Sequence, residues 1–253
     1  MSPLEAQPAM EAAAPLTQLQ RVIDTFTAPS KTFADIKRGN KSWWLPFLLF
    51  VLIGTALWGT VTVKVTWRQV AENGLRMAPK QAEQLESLPP DQRALRMKYS
   101  AIGQEVVWAL APVLLLIINL IAAGILLGTI NFGFGGKATY GQVLAVSWYA
   151  GLPALIKLVL GIVGLFVGVA PESFLPGNPA GTNLGYFLDP NSISIALWTV
   201  LVFLDVTGIW SLILTGKGLS TVASTKHSSG YIAVFGWWFV LLLLQVGLAV
   251  AFS

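Results

Sequence analysis

The chain has 253 residues, 55% of them hydrophobic and 11% charged, with a formal net charge of +4, whereas an ordinary soluble domain is about 25% charged. It has no cysteine and a single histidine, His227, which excludes thiol nucleophiles, disulfides, cysteine-ligated zinc and two-histidine metal sites. Its basic residues are few and dispersed, which suits topology signals and lipid headgroups and makes no case for nucleic acid.

Residues 1–15, rich in Ala, Pro and Glu, predict no packed structure. Residues 1–20 lack a basic start and an apolar core, so they do not read as a secretory signal peptide, and the first span is expected to act as an uncleaved anchor. Leu16, Leu19, Val22, Ile23 and Phe26 then recur at helical spacing. They form an apolar stripe, with Arg21 and Asp24 off it, as in an amphipathic helix lying on the bilayer. Pro29 stops this helix and Ser30 opens a second short one carrying Phe33 and Ile36. Lys37, Arg38 and Lys41 precede Trp43 and Trp44, a basic cluster and aromatic belt typical of a cytoplasmic membrane boundary.

Five apolar stretches are long enough to cross a bilayer: 43–63, 106–130, 143–169, 195–215 and 231–252. The shortest, at about 1.5 Å per residue, covers about 31 Å against a hydrocarbon core of about 30 Å. The expected fold is therefore all-α: residues 1–42 form an arm with an interfacial helix, and residues 43–253 form a five-span bundle. The one sizeable polar loop, 64–105, predicts a helical hairpin over 78–88 and 91–102 with Pro89-Pro90 between, its apolar positions packed on itself or on the membrane.

With the N-terminus inside, the inner segments hold Arg21, Lys31, Lys37, Arg38, Lys41, Lys137, Lys217 and Lys226, and the outer side holds seven bases, all within 64–105. The short loops favour an inner N-terminus and an outer C-terminus: 170–194 has no base, while Lys217 and Lys226 lie between the last two spans.

Lys157 and Asp205 are lone charges near the middle of otherwise uncharged spans. One such charge at the centre of a membrane helix costs about 2.5–3.5 kcal/mol on insertion scales, and two of opposite sign are tolerable if they meet. Pro153, Lys157, Gly161, Gly164 and Gly168 recur at spacings of four and three, a face that lets another backbone approach closely. Asp205, Gly208, Ser211 and Thr215 form a similar small, polar face. A buried ion pair follows as the expectation, either fixing helix register or serving transport or switching. Asn119 and Gln245 are the other polar midspan residues, expected to make interhelical hydrogen bonds. Gly124–Gly128 and Gly164–Gly168 are packing motifs of membrane helices.

Phosphate-loop and enzyme readings fail. The Gly133-Phe134-Gly135-Gly136-Lys137-Ala138 segment has Asn131 where a glycine is needed and Ala138 where a hydroxyl is needed. Thr215-Gly216-Lys217-Gly218 lacks Ser or Thr after a Gly-Lys pair. A serine triad would need His227, with no buried acid placed to orient it. An aspartyl dyad needs two carboxylates, and Asp205 is the one acid inside a span. No catalytic residue, metal or cofactor is expected.

The order of these features resembles the Yip family, five-span membrane proteins named for interaction with Ypt/Rab GTPases. The resemblance rests on Phe26, Pro29, Thr32, Phe33 and Ile36 before the first span, and on Tyr149-Ala150 and Pro153 in the third. Asp205, Trp210 and Gly218-Leu219 continue it from the fourth span into the next loop. It implies a cytoplasmic N-terminus and a non-catalytic role in membrane organisation or trafficking through protein partners. The short arm and long first loop are more similar to the bacterial branch, and so to an inner-membrane location, with a Golgi or ER membrane as the eukaryotic counterpart. The sequence reading is thus a scaffold or adaptor contacting lipid and protein partners, or further copies of itself. The alternative is a small transporter or channel built on Lys157 and Asp205.

Overall fold

The structure is a computed structural model and describes residues 14–252, so most of the low-complexity start lies outside the described residues. It is an all-helical membrane bundle, with no strand among the described residues. Two short helices come first, α1 (Gln18–Thr27) and α2 (Pro29–Lys37), then the first span, α3 (Trp44–Lys64). Helices α4 (Trp67–Leu75), α5 (Pro79–Glu86) and α6 (Pro90–Ala109) follow, and α7 (Ala111–Gly128) is the second span, ending in a π turn over Thr129–Gly133. The third span comprises α8 (Tyr140–Ala150) and α9 (Ala154–Val167), the fourth α10 (Ile195–Phe203) and α11 (Val206–Ala223), and the last is α12 (His227–Phe252). Among the described residues, four helical stretches are long and apolar enough to cross a membrane, and α10 with α11 makes a fifth if that pair, bent by 54°, counts as one span.

Helix starts and stops follow local chemistry. Thr17 caps α1 in a reciprocal box with Gln20, satisfying two otherwise orphan N–H groups. Pro29 opens α2 where its missing N–H costs nothing. Pro153 separates α8 from α9, and Gly168, in the left-handed region at φ 115°, ends α9.

Several elements differ from the sequence expectation. The hairpin expected at 78–88 and 91–102 is α5 and a much longer α6, which runs on to Ala109 and leads almost directly into α7. The expected second span at 106–130 accordingly starts later, at Ala111. Helix α4 was not foreseen; its Trp67, Val70 and Ala71 are buried, because it folds back over α6. Helix α6 itself has no buried residue, and Leu95, Tyr99 and Ile102 are exposed on it. The fourth span is not the single straight helix expected over 195–215 but is broken at Leu204 and Asp205.

The main core lies towards the end of the bundle that carries α1 and α2. It is built from Phe33 and Ile36 of α2, Val143, Val146, Trp148 and Tyr149 of α8, and Leu219 and Val222 of α11. Trp43 stacks on Trp148 at 5.6 Å between ring centroids, and Phe47 meets it edge-on at 5.1 Å, geometry that aromatic quadrupoles favour. A second cluster towards the opposite end joins Leu57 and Val61 of α3, Val70 of α4, Leu165 of α9 and Phe174.

Candidate functional site: two buried polar clamps

Asp205 does not sit on a helix face. It is the N-cap of α11, at the break in the fourth span. Its Oδ1 accepts from the Thr207 N–H at 2.9 Å, the Thr207 hydroxyl at 2.6 Å and the Gly208 N–H at 3.1 Å. Its Oδ2 accepts from the Thr182 hydroxyl, from Asn183 Nδ2 at 3.2 Å, and from Lys157 Nζ at 2.9 Å. Six donors therefore surround one buried carboxylate. A helix break inside a bilayer frees backbone groups that no water can reach, and this carboxylate takes up two of the N–H groups exposed there.

Three of the six donors come from outside α11 and tie it to other elements. Lys157 comes from α9, and Thr182 and Asn183 come from the segment between α9 and α10. That segment packs against the bundle: Asn178, Ala180 and Asn183 are buried. Asn183 Nδ2 also donates to Asn178 Oδ1 at 2.7 Å, and the Val206 N–H donates to the Thr182 carbonyl at 2.9 Å. Gly161 makes room for the segment, since a Cβ there would lie 2.7 Å from Pro179 Cβ. The small-residue face on which Lys157 lies thus receives a loop, not a helix. Of the face expected on α11, Ser211 and Thr215 donate to carbonyls of their own helix.

The second clamp holds the N-terminal arm. The apolar stripe expected on α1 faces outward, with Leu19 63% and Ile23 52% exposed, while Arg21 and Thr25 on the other side are 1% and 0% exposed. Leu16 and Val22 are half-buried. Arg21 Nη1 donates to the carbonyls of Asn40 and Ser42 at 2.9 and 3.0 Å. Its Nε lies 3.7 Å from Asp35 Oδ2, and its guanidinium stands 4.9 Å from the centre of the Tyr149 ring. Burial pulls the Arg21 pKa below its ordinary value, and Tyr149 and Asp35 pull it back up. Asp35 also accepts from the Leu16 N–H, from Asn40 Nδ2 and from Arg38. Tyr149 Oη donates to Gln18, and Gln142 Nε2 donates to the Lys37 carbonyl.

The other singled-out residues fall beside these clamps. Phe26 meets Trp210 edge-on at 5.7 Å between centroids. Gly218 lies where a Cβ would be 2.6 Å from Val146 Cγ1 and 2.9 Å from the Phe33 ring, so only glycine lets α2 pack on α8 and α11 together. Gly218→Val should lower stability in detergent by about 1–3 kcal/mol through overpacking, read as an earlier thermal transition; an unchanged transition would mean the α2 contact is dispensable. Asn119 and Gln245 do not make the interhelical bonds expected of them. Asn119 Nδ2 donates to Leu115 O of its own helix at 3.0 Å, and Gln245 is exposed on α12 with no side-chain hydrogen bond among the described residues. A midspan polar residue can satisfy itself on its own backbone, or face outward, more readily than spacing alone suggests.

Arg21, Asp35, Thr182 and Asn183 were missed as site residues. Arg21 and Thr25, four apart and opposite the apolar stripe, were the available signal for the arm; the Asp205-Val206-Thr207-Gly208 run, with an N-cap residue at its head, was the signal for the break.

Together these features define a multi-span helical membrane protein whose N-terminal arm is docked into the bundle and whose fourth span is interrupted around a buried ion pair. The chain belongs to the Yip1 domain family, which it matches over residues 23–249. No match was found among curated proteins or solved structures.

Proposed function

We propose that this protein is a non-catalytic scaffold or adaptor in membrane organisation or trafficking, acting through protein partners. The observation that carries the reading is how the family-motif residues are used. Phe26 packs on Trp210, Phe33 on Gly218, and Tyr149 under Arg21, while Asp205 holds Lys157. Each joins one element to another, and none lines any of five surface clefts of about 160–760 Å³. Side chains spent on holding a shape suit a protein whose surface is its working part.

Leu19, Ile23 and Phe26 form that surface on the arm, with exposed Lys31, Lys37, Arg38 and Lys41 nearby. An outward apolar stripe with bases beside it suits the headgroup zone of an anionic leaflet. In this reading the arm faces the cytoplasm, the C-terminus lies outside, and the membrane is a bacterial inner membrane. Single cysteines in the cysteine-free chain test the orientation. Asn191→Cys should react with an impermeant thiol reagent added outside intact cells and Ser228→Cys should not, both positions being exposed on the protein; the reverse pattern would invert the assignment.

The break at Asp205 favours a second reading, a small transporter, because discontinuous helices commonly form substrate sites in secondary transporters. Against it, the carboxylate is fully occupied by protein donors and the five spans show no internal repeat. Purification from native membranes in mild detergent, with mass spectrometry, separates the two. The scaffold predicts proteins recovered in fixed ratio to the chain. Recovery of a bare monomer or homodimer, together with solute flux in proteoliposomes, would overturn it in favour of transport.

A further inference from the structure

On the side of the bilayer opposite the arm, two clefts share walls. The first, of about 300 Å³, is the more polar of the two: Arg76 enters it from the end of α4, Glu172 from the turn after α9, and Asp189 from the segment before α10. The second, of about 570 Å³, is lined mainly by apolar groups, among them Val70, Trp108, Val202 and Ala249. Met77, Leu175, Asn178 and Trp198 line both, so the clefts adjoin. The second descends into the bilayer: Val202 lies seven residues inside the fourth span, about 10 Å below its start, and Ala249 is near the end of the last span.

The charges in the polar cleft are of opposite sign, yet no ion pair joins them among the described residues. Arg76 donates to Asn73 Oδ1 alone, leaving most of its donors free. Asp189 Oδ1 accepts from Asn191, and the Glu172 carboxylate accepts no hydrogen bond among the described residues. The scaffold around them is built: Asn73, 2% exposed, donates to the carbonyls of Pro171 and Phe174 at 2.8 Å each, fixing α4 to the turn that carries Glu172.

We propose that these adjoining clefts together bind a zwitterionic phospholipid with an ethanolamine head, drawn from the leaflet on that side. The phosphate meets the Arg76 guanidinium, the ammonium lies between Glu172 and Asp189, and an acyl chain fills the apolar cleft. A cation and two carboxylates at the mouth of an apolar slot match a headgroup of both signs, and the slot's depth matches a ligand already in the bilayer. An anionic lipid would satisfy Arg76 but set its charge against the carboxylates. A free zwitterion would leave the apolar cleft empty.

Native mass spectrometry of the delipidated full-length chain tests this. Phosphatidylethanolamine, phosphatidylglycerol and soluble glycerophosphoethanolamine are titrated separately, and the fold of each variant is checked by its thermal transition. Phosphatidylethanolamine should bind about tenfold more tightly than phosphatidylglycerol, and Arg76→Gln should weaken it about tenfold, the scale of one charged hydrogen bond. Glu172→Gln with Asp189→Asn should abolish the preference over phosphatidylglycerol, and Thr199→Trp, which fills the apolar cleft, should weaken both lipids. Equal binding of the two lipids by the unaltered chain, indifferent to these substitutions, would overturn the proposal. Binding of the soluble head as tight as that of the lipid, unaffected by Thr199→Trp, would overturn it in favour of a free zwitterion.

Discussion

Asp205→Leu should cost much more stability than Lys157→Met, although the two residues form one ion pair. Truncating one member of a buried pair typically costs about 3–5 kcal/mol, because the remaining charge is left unpaired. Lys157→Met leaves the carboxylate with five neutral donors, from Thr207, Gly208, Thr182 and Asn183, so its loss should fall at or below the low end of that range. Asp205→Leu strands the ammonium and also removes the cap of α11, about 0.5–2 kcal/mol more, and frees Thr182 and Asn183. Lys157→Met combined with Asp205→Asn keeps an acceptor at the cap and removes both charges, and should regain most of the loss. Unfolding in detergent measures all four proteins. With Asp205→Asn alone measured as a fifth protein, a double variant whose loss is the sum of the two single losses would mean the residues are not coupled.

Arg21→Met should release α1 while α2 stays in place. Arg21 is the one charged group of α1 facing the bundle, and its loss leaves Asp35 buried without that partner. Phe33 and Ile36 still anchor α2 in the core. A cysteine at Thr25, a fully buried position, reports the opening directly. If release lowers the opening cost by about 3–5 kcal/mol, its labelling should accelerate by about two to four orders of magnitude. A cysteine at Thr32, also fully buried, should remain slow. Labelling at Thr25 unchanged by Arg21→Met would mean the outward apolar stripe alone holds α1.

The spans were legible because a long apolar run has few alternatives in a bilayer. The ends of the first, third and last differ from expectation by at most four residues. Lys157 and Asp205 stood out because an intramembrane charge is rare and costly, and they lie 2.9 Å apart. What composition could not convey is that Asp205 ends one helix and starts another. Leu204 and Val206 are apolar and no proline marks the place, so the cap residue with Thr207 and Gly208 after it was the one local signal, and the break is held by Thr182, Asn183 and Lys157 arriving from elsewhere in the chain. The packing of the segment before α10 against the bundle was hidden for the same reason: its prolines, glycines and asparagines read as a surface loop, but its polar groups find partners inside. On α1, the apolar stripe was visible but its direction was not. A stripe beside a membrane can face lipid as well as protein, and here the bundle takes the polar side.

In the proposed function the clamps hold a shape for partners and do no chemistry or transport of their own. Recovery of co-purifying proteins with the Lys157→Met, Asp205→Asn double variant, at matched expression in native membranes, tests it most directly. The same partner proteins, in the same ratio as with the unaltered chain, are predicted. A variant that folds as stably as the original but has lost those partners, or whose solute flux in proteoliposomes differs from that of the unaltered chain, would contradict it.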